Sequence, residues 1–258
     1  LDKILLGRFH GSGVLGLYSR AYQILMLPIN QIRGPLTAVA IPALSRLQTE
    51  PHRYKEYYSK WALILAFLSM PLMVFTAVCS ESIVRLLLGS KWTGVTDIFR
   101  VMAITAFIQT AGTTKGAVLL SLGKSKRYLI WGVINALFTI SAFVVGLPWG
   151  AIGIALSYAA VNYVILLPSL WYCFRETPVS VATFLEAVSL PMIASICTGV
   201  VVFFFYSSLS GQSDAVSVGI CFIVGLLVYL SLLALMPGGI RTLRNFISYG
   251  PILFQKRT

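Results

Sequence analysis

Charge is what this sequence has least of. Only 11% of its 258 residues are Asp, Glu, Lys or Arg, against about 25% in soluble domains. Acids are scarcest, with 8 Asp and Glu against 20 Lys and Arg. The two histidines, His10 and His52, stand in different breaks between apolar runs, which leaves no metal-ligand cluster. The four cysteines, Cys79, Cys173, Cys197 and Cys221, show no CxxC spacing and read as buried single thiols. No GxxxxGK[ST] run is present, so an ATP-binding loop is missing from these residues, and no cofactor is implied.

Apolar residues take the place of charge. They make up 57% of the chain, and mean hydropathy is +0.84. A fold of this size cannot hide so much apolar surface from water, so lipid must cover the remainder. The net charge of +12 could suggest nucleic acid, but the basic residues lie in short breaks between apolar runs rather than in one patch. We therefore expect the lipid bilayer as a partner and no nucleic acid.

A membrane helix needs about 20 mostly apolar residues. Seven segments qualify: Leu15–Leu44, Trp61–Cys79, Ile98–Leu122, Tyr128–Gly146, Ala151–Cys173, Val188–Leu209 and Val216–Met236. Residues Leu1–Phe9 read as the end of an eighth span. The fold class is all-α, a polytopic transmembrane bundle; the apolar runs are too long and continuous for barrel strands. The chain opens on Leu1-Asp2-Lys3 without a Met, and we read it as the C-terminal part of a longer polypeptide.

Lys and Arg in the connections set orientation. Arg46, Arg53, Lys55 and Lys60, then Lys124, Lys126 and Arg127, then Arg175, then Arg241, Arg244, Lys256 and Arg257 fall on one side. The other side holds Arg8, Arg85 and Lys91. The richer side is expected to be cytoplasmic, which puts the C-terminus inside and Gly11 and Gln212 outside. Trp61, Trp131, Trp149 and Trp171 near span ends suit the membrane interface. Ile83–Leu88 is too short to span and suits an outer loop or interfacial helix. Ile240–Ile247 has the spacing of a short helix lying on the inner surface.

Gly11-Ser12-Gly13-Val14-Leu15-Gly16 matches GxGxxG, but the next acid is Glu50 and a span follows, so a flexible hairpin is the better reading. The first full span carries a heavy polar load in Arg20, Gln23, Asn30, Gln31 and Arg33. At 100° per residue all but Arg33 share one stripe with Ser19, Gly34 and Thr37, expected to face a cavity or the bundle interior. Pro28 and Gly34-Pro35 are expected to kink this helix. In the third span Gln109, Thr113 and Gly116 share a face, and Lys115 sits too deep to snorkel easily. Ala151, Ala155 and Ala159 repeat at the spacing of close helix packing.

The segments LGLYSRAYQILMLPINQIRGPLTAVAIPALSRLQ, RYKEYY, IVRLLLGSKW, LLSLGKSKR and GLPWGAIGIALSYA resemble bacterial polysaccharide flippases of the O-antigen and colanic-acid type. These belong to the multidrug/oligosaccharidyl-lipid/polysaccharide transporter superfamily. The resemblance runs from about Asp2 to Arg175 and implies a fourteen-helix protein of two six-helix lobes and two extra C-terminal helices. Residues 1–175 would then be the C-terminal lobe, 176–236 the two extra helices and 237–258 a cytoplasmic tail. The implied task is to move an isoprenoid-diphosphate-linked oligosaccharide across the bacterial inner membrane, with the missing N-terminal lobe as partner and no enzymatic step. Arg20, Arg33 and Lys115 are the cations that would hold the anionic substrate, with Gln23, Asn30, Gln31, Gln109 and Thr113 lining the path. A multidrug antiporter of the same fold would want an acidic cavity. A membrane polymerase or ligase would want catalytic groups in a large outer loop, and the longest one, Ser80–Thr96, holds no His and one acid.

Overall fold

The computed structural model describes residues 2–209, 212–236 and 239, and within them the chain is helical with short turns. The helices are α1 (Asp2–Arg46), α2 (Pro51–Val78), α3 (Ser80–Leu88), α4 (Thr96–Gly112), α5 (Thr114–Ser121), α6 (Ser125–Gly146), α7 (Gly150–Phe174), α8 (Val181–Ser208) and α9 (Asp214–Leu235). Five stretches are long and apolar enough to cross a membrane; one of them, Ser125–Phe174, contains both α6 and α7. The tail helix expected at Ile240–Ile247 lies outside the described residues.

Gly11 divides α1. Its φ of 82° is the one non-helical backbone angle in the helix, a conformation glycine adopts without a Cβ penalty. Residues 2–10 fold back along the following turns. Tyr18 Oη donates to Asp2 Oδ2 at 2.9 Å, and Lys3 Nζ lies 5.4 Å from the Tyr22 ring centre. The GxGxxG run is thus a reversal between two helical segments. Helical angles continue through Pro28, Gly34 and Pro35, and the one backbone break is at Gly11.

The expected third span, Ile98–Leu122, is two helices that meet at Thr113. The threonines explain the interruption. Thr110 Oγ1 donates to the Ala106 carbonyl at 3.1 Å, Thr113 Oγ1 to Thr110 at 2.7 Å and Thr114 Oγ1 to Ala111 at 2.8 Å. Side chains that return to their own backbone compete with the helical ladder and bend it. α5 then closes in a Schellman turn: Gly123 has φ 67°, and Lys124 N–H reaches the Leu119 carbonyl at 2.9 Å.

α2 is the centre of the bundle, packed against α1, α4, α8 and α9. Lipid is as apolar as leucine, so close packing and hydrogen bonds must hold such a helix in place. Tyr58 and Thr114 share a hydrogen bond of 2.9 Å, and Tyr54 and Ser121 one of 2.7 Å. Such bonds within membranes contribute about 0.6 kcal/mol on average and up to about 2. α6, by contrast, exposes Leu129, Val133, Leu137 and Val145, the surface a bilayer would cover. α3 is the short amphipathic helix expected at Ile83–Leu88. Its Ser82 Oγ donates to Asp214 Oδ1 at 2.8 Å and lies 2.8 Å from Tyr206 Oη, which ties α3 to α8 and α9.

Candidate functional site

Three cavities meet around one side chain. The first, about 240 Å³, lies between α1, α4, α6 and α7 and is lined by Tyr18, Tyr22, Gln109 and Thr113 among others. The second, about 270 Å³, is lined by Lys115, Trp131, Asn135 and Asn162. The third, about 560 Å³ and wider open, runs along α1 past Asn30, Gly34 and Thr37. Arg33 lines all three.

Arg33 is exposed and makes no hydrogen bond or ion pair among the described residues. Its position agrees with the helical wheel, which set it off the polar stripe: it shares a face of α1 with Tyr18, Tyr22, Met26 and Ile29 and lines the cavity that Gln109 and Thr113 also line. Gln109 Nε2 donates to Tyr158 Oη at 2.7 Å, which fixes the amide and leaves its oxygen toward the cavity free of any described donor. The Thr113 hydroxyl lines the same wall, its proton already given to the Thr110 carbonyl.

Lys115 is half-buried. Its Nζ donates to the buried Ser169 Oγ at 2.6 Å and stands 5.6 Å from the Trp131 ring centre. No carboxylate pairs with it among the described residues. Trp131 in turn packs on Tyr172, ring centres 5.8 Å apart. It also forms one wall of the Lys115 cavity.

The remaining α1 candidates stand apart. Arg20 Nη1 donates to Gln23 Oε1 at 3.2 Å on an exposed face, and Gln31 is exposed outside the three cavities. Thus Arg33, Gln109, Thr113 and Lys115 come together, Asn30 borders the open cavity, and Arg20, Gln23 and Gln31 do not join them. Sequence reasoning missed Tyr18, Tyr22, Asn135, Tyr158, Asn162 and Ser169. The signal for Asn135 and Asn162 was there: each is an amide within an otherwise apolar span. Arg100 pairs with Asp97 at 3.4 Å and donates to Ser80 Oγ at 3.0 Å. Among the described residues no group of His, Cys, Asp and Glu could hold a metal ion.

A family profile described as "Polysaccharide biosynthesis protein" matches residues 1–97. The teichuronic acid biosynthesis protein TuaB of Bacillus subtilis is 27% identical over 205 residues, 79% of this chain and 42% of TuaB. The lipopolysaccharide biosynthesis protein WzxC of Escherichia coli is 24% identical over 221 residues, 82% of this chain and 44% of WzxC. The chain therefore spans less than half the length of these relatives. Among solved structures, the inward closed conformation of the lipid II flippase MurJ superposes with TM-score 0.70 at 18% identity, over 94% of this chain and 48% of MurJ. A MOP superfamily transporter from Pyrococcus furiosus superposes with TM-score 0.54 at 17% identity, over 97% of this chain and 62% of that one.

Proposed function

We propose, for a chain that belongs with the polysaccharide flippases of the multidrug/oligosaccharidyl-lipid/polysaccharide superfamily, that it forms one wall of a path for an isoprenoid-diphosphate-linked oligosaccharide. The names of its relatives, biosynthesis proteins for teichuronic acid and lipopolysaccharide, support that substrate class. The full protein would carry the substrate across the bacterial inner membrane by alternating access, with residues 1–175 as one lobe, 176–236 as two added helices and a second lobe completing the cavity. It would act as a transporter without a catalytic step, its C-terminus in the cytoplasm.

One observation carries this reading: a guanidinium without a hydrogen-bond or ion-pair partner among the described residues sits where three cavities meet. Even on translocon scales an arginine at a helix centre costs about 2.5–3.5 kcal/mol. A diphosphate offers the compensation, because its oxygens accept the planar fork of donors in pairs. Gln109, Thr113 and Asn30 supply groups that bond sugar hydroxyls. The membrane potential can supply the drive. One charge crossing 100 mV is worth about 2.3 kcal/mol, so a diphosphate moving toward the positive side gains roughly 4–5 kcal/mol. A multidrug antiporter is less well supported, since the cations Arg33 and Lys115 line these cavities and Asp2 is the one acid among them.

In the full-length protein, Arg33→Ala should abolish polysaccharide export in a flippase-null strain at near-normal membrane abundance. Arg33→Lys should restore part of it, because the fork is lost while the charge remains. Wild-type export by a stably inserted Arg33→Ala protein would remove the substrate-binding role.

A further inference from the structure

The cavity beside Arg33 has its own chemistry. Its walls come from α4, α5, α6 and α7, and it holds a second cation, Lys115, with Trp131, Asn135 and Asn162. We propose that it is a subsite for a carboxylate-bearing sugar ring, distinct from the diphosphate position at Arg33; this rests on the transport reading given above.

Four features lead there. First, the ammonium has three donors and spends one on Ser169 Oγ at 2.6 Å. No carboxylate pairs with it among the described residues. A cation drawn out of water without a counter-charge is costly, so an anionic ligand would relieve a standing penalty. Second, the Trp131 ring stands 5.6 Å from that ammonium. Trp131 lines the cavity, so the part of the indole left open beside Lys115 and Tyr172 can lie against a pyranose ring. Third, two amides suit the ring hydroxyls. Asn162 Nδ2 donates to the Tyr158 carbonyl at 2.8 Å, which orients its oxygen as an acceptor. Asn135 makes no side-chain hydrogen bond among the described residues and keeps both donor and acceptor. Fourth, the volume of about 270 Å³ falls just under the usual range of about 300–1,000 Å³ for ligand pockets. That suits one ring rather than a whole oligosaccharide.

Lysine is a compact point charge that can pair with a single carboxylate oxygen, and the arginine fork beside it can take a pair of diphosphate oxygens. Arg33 and Lys115 share this one cavity, so the acidic ring would lie close to the diphosphate end of the glycan.

The test compares two probes on the full-length protein in detergent. One is a polyprenyl-diphosphate disaccharide bearing glucuronate; the other is its carboxyl-reduced glucose counterpart. We expect wild-type protein to bind the glucuronate probe about tenfold more tightly, the value of one charge-assisted hydrogen bond. Lys115→Met should erase that preference, so that the variant binds the two probes alike. Arg33→Ala should weaken both probes alike. Equal wild-type affinity for the two probes would overturn the subsite and leave the transport reading standing. So would a Lys115→Met protein that loses both probes equally, because Lys115 would then belong to the diphosphate. Wild-type protein that binds neither probe would overturn both readings. The wild-type ratio needs no variant, so a substitution that fails to insert does not shield the proposal.

Discussion

Gly153→Ala offers a sharp check on the packing described above. A Cβ at Gly153 would lie 2.3 Å from the Gly146 carbonyl oxygen and 2.5 Å from Trp149 Cβ. Neither atom is the far end of a flexible side chain, so the α6–α7 turn itself must move. Overpacking of this kind costs about 1–3 kcal/mol. The control is Gly219→Ala on α9, where an added Cβ meets nothing within 4 Å; helix propensity there favours alanine by up to about 1 kcal/mol. Gly153 is helical too, so that gain applies to both, and the two variants should differ by about 1–3 kcal/mol, a factor of roughly five to one hundred and sixty in the folded-to-unfolded ratio. Gly146→Ala meets the Gly153 oxygen at 2.5 Å. Since one displacement makes room for both methyls, the double variant should lose less than the sum of the singles. The assay is reversible unfolding of the full-length protein in bicelles, read by steric trapping. If Gly153→Ala proves as stable as Gly219→Ala, the close approach of α6 and α7 is wrong.

In a cysteine-free full-length protein, thiols introduced at Ser12 and Gln212 should react with an impermeant maleimide added outside and a thiol at Ser125 should not; the reverse pattern would invert the orientation. Tyr58→Phe removes the 2.9 Å bond to Thr114 and should cost about 1 kcal/mol in the same unfolding assay, with no measurable loss refuting its structural role. Asp214→Asn should loosen α3 from α9, since Ser82 donates to that carboxylate at 2.8 Å and Arg85 lies 3.9 Å from it; proteolysis between α3 and α4 should rise several-fold, and an unchanged rate would show the link is idle.

Most of the helical layout could be read from hydropathy, because a bilayer demands long apolar runs and the sequence supplies them. The break at Thr113 could not. Its residues are apolar enough to pass as one span, and only the hydroxyl-to-carbonyl bonds of Thr110, Thr113 and Thr114 reveal the interruption. In α1 helical angles persist through Pro28 and Pro35, and the chain turns at Gly11, whose positive φ a Cβ would penalise. At the site, the residue types pointed to the cations and amides and the wheel separated Arg33 from Arg20, but a straight wheel could not tell that Arg33, rather than the polar stripe, lines a cavity with Gln109 and Thr113. Nor could it tell that Trp131 serves a cavity, since that depends on where α5 sets Lys115.

Arg127 closes the open end of the α6–α7 pair. Its guanidinium donates to the carbonyls of Tyr172 and Arg175 and stacks 5.3 Å from the Tyr172 ring. It thereby collects the carbonyls that the end of a helix leaves open. The turn at the opposite end is held by Gly146 against Gly153, and His10 Nε2 is 2.6 Å from the Leu147 carbonyl within that turn. A helix pair fastened at both ends has little freedom to shear within itself. It would tilt as a single plank, carrying Trp131, Asn135, Asn162 and Ser169 together. Any rearrangement that widens or narrows the Lys115 cavity must then slide along the seam with α4 and α5, where the threonine-loosened backbone already gives way.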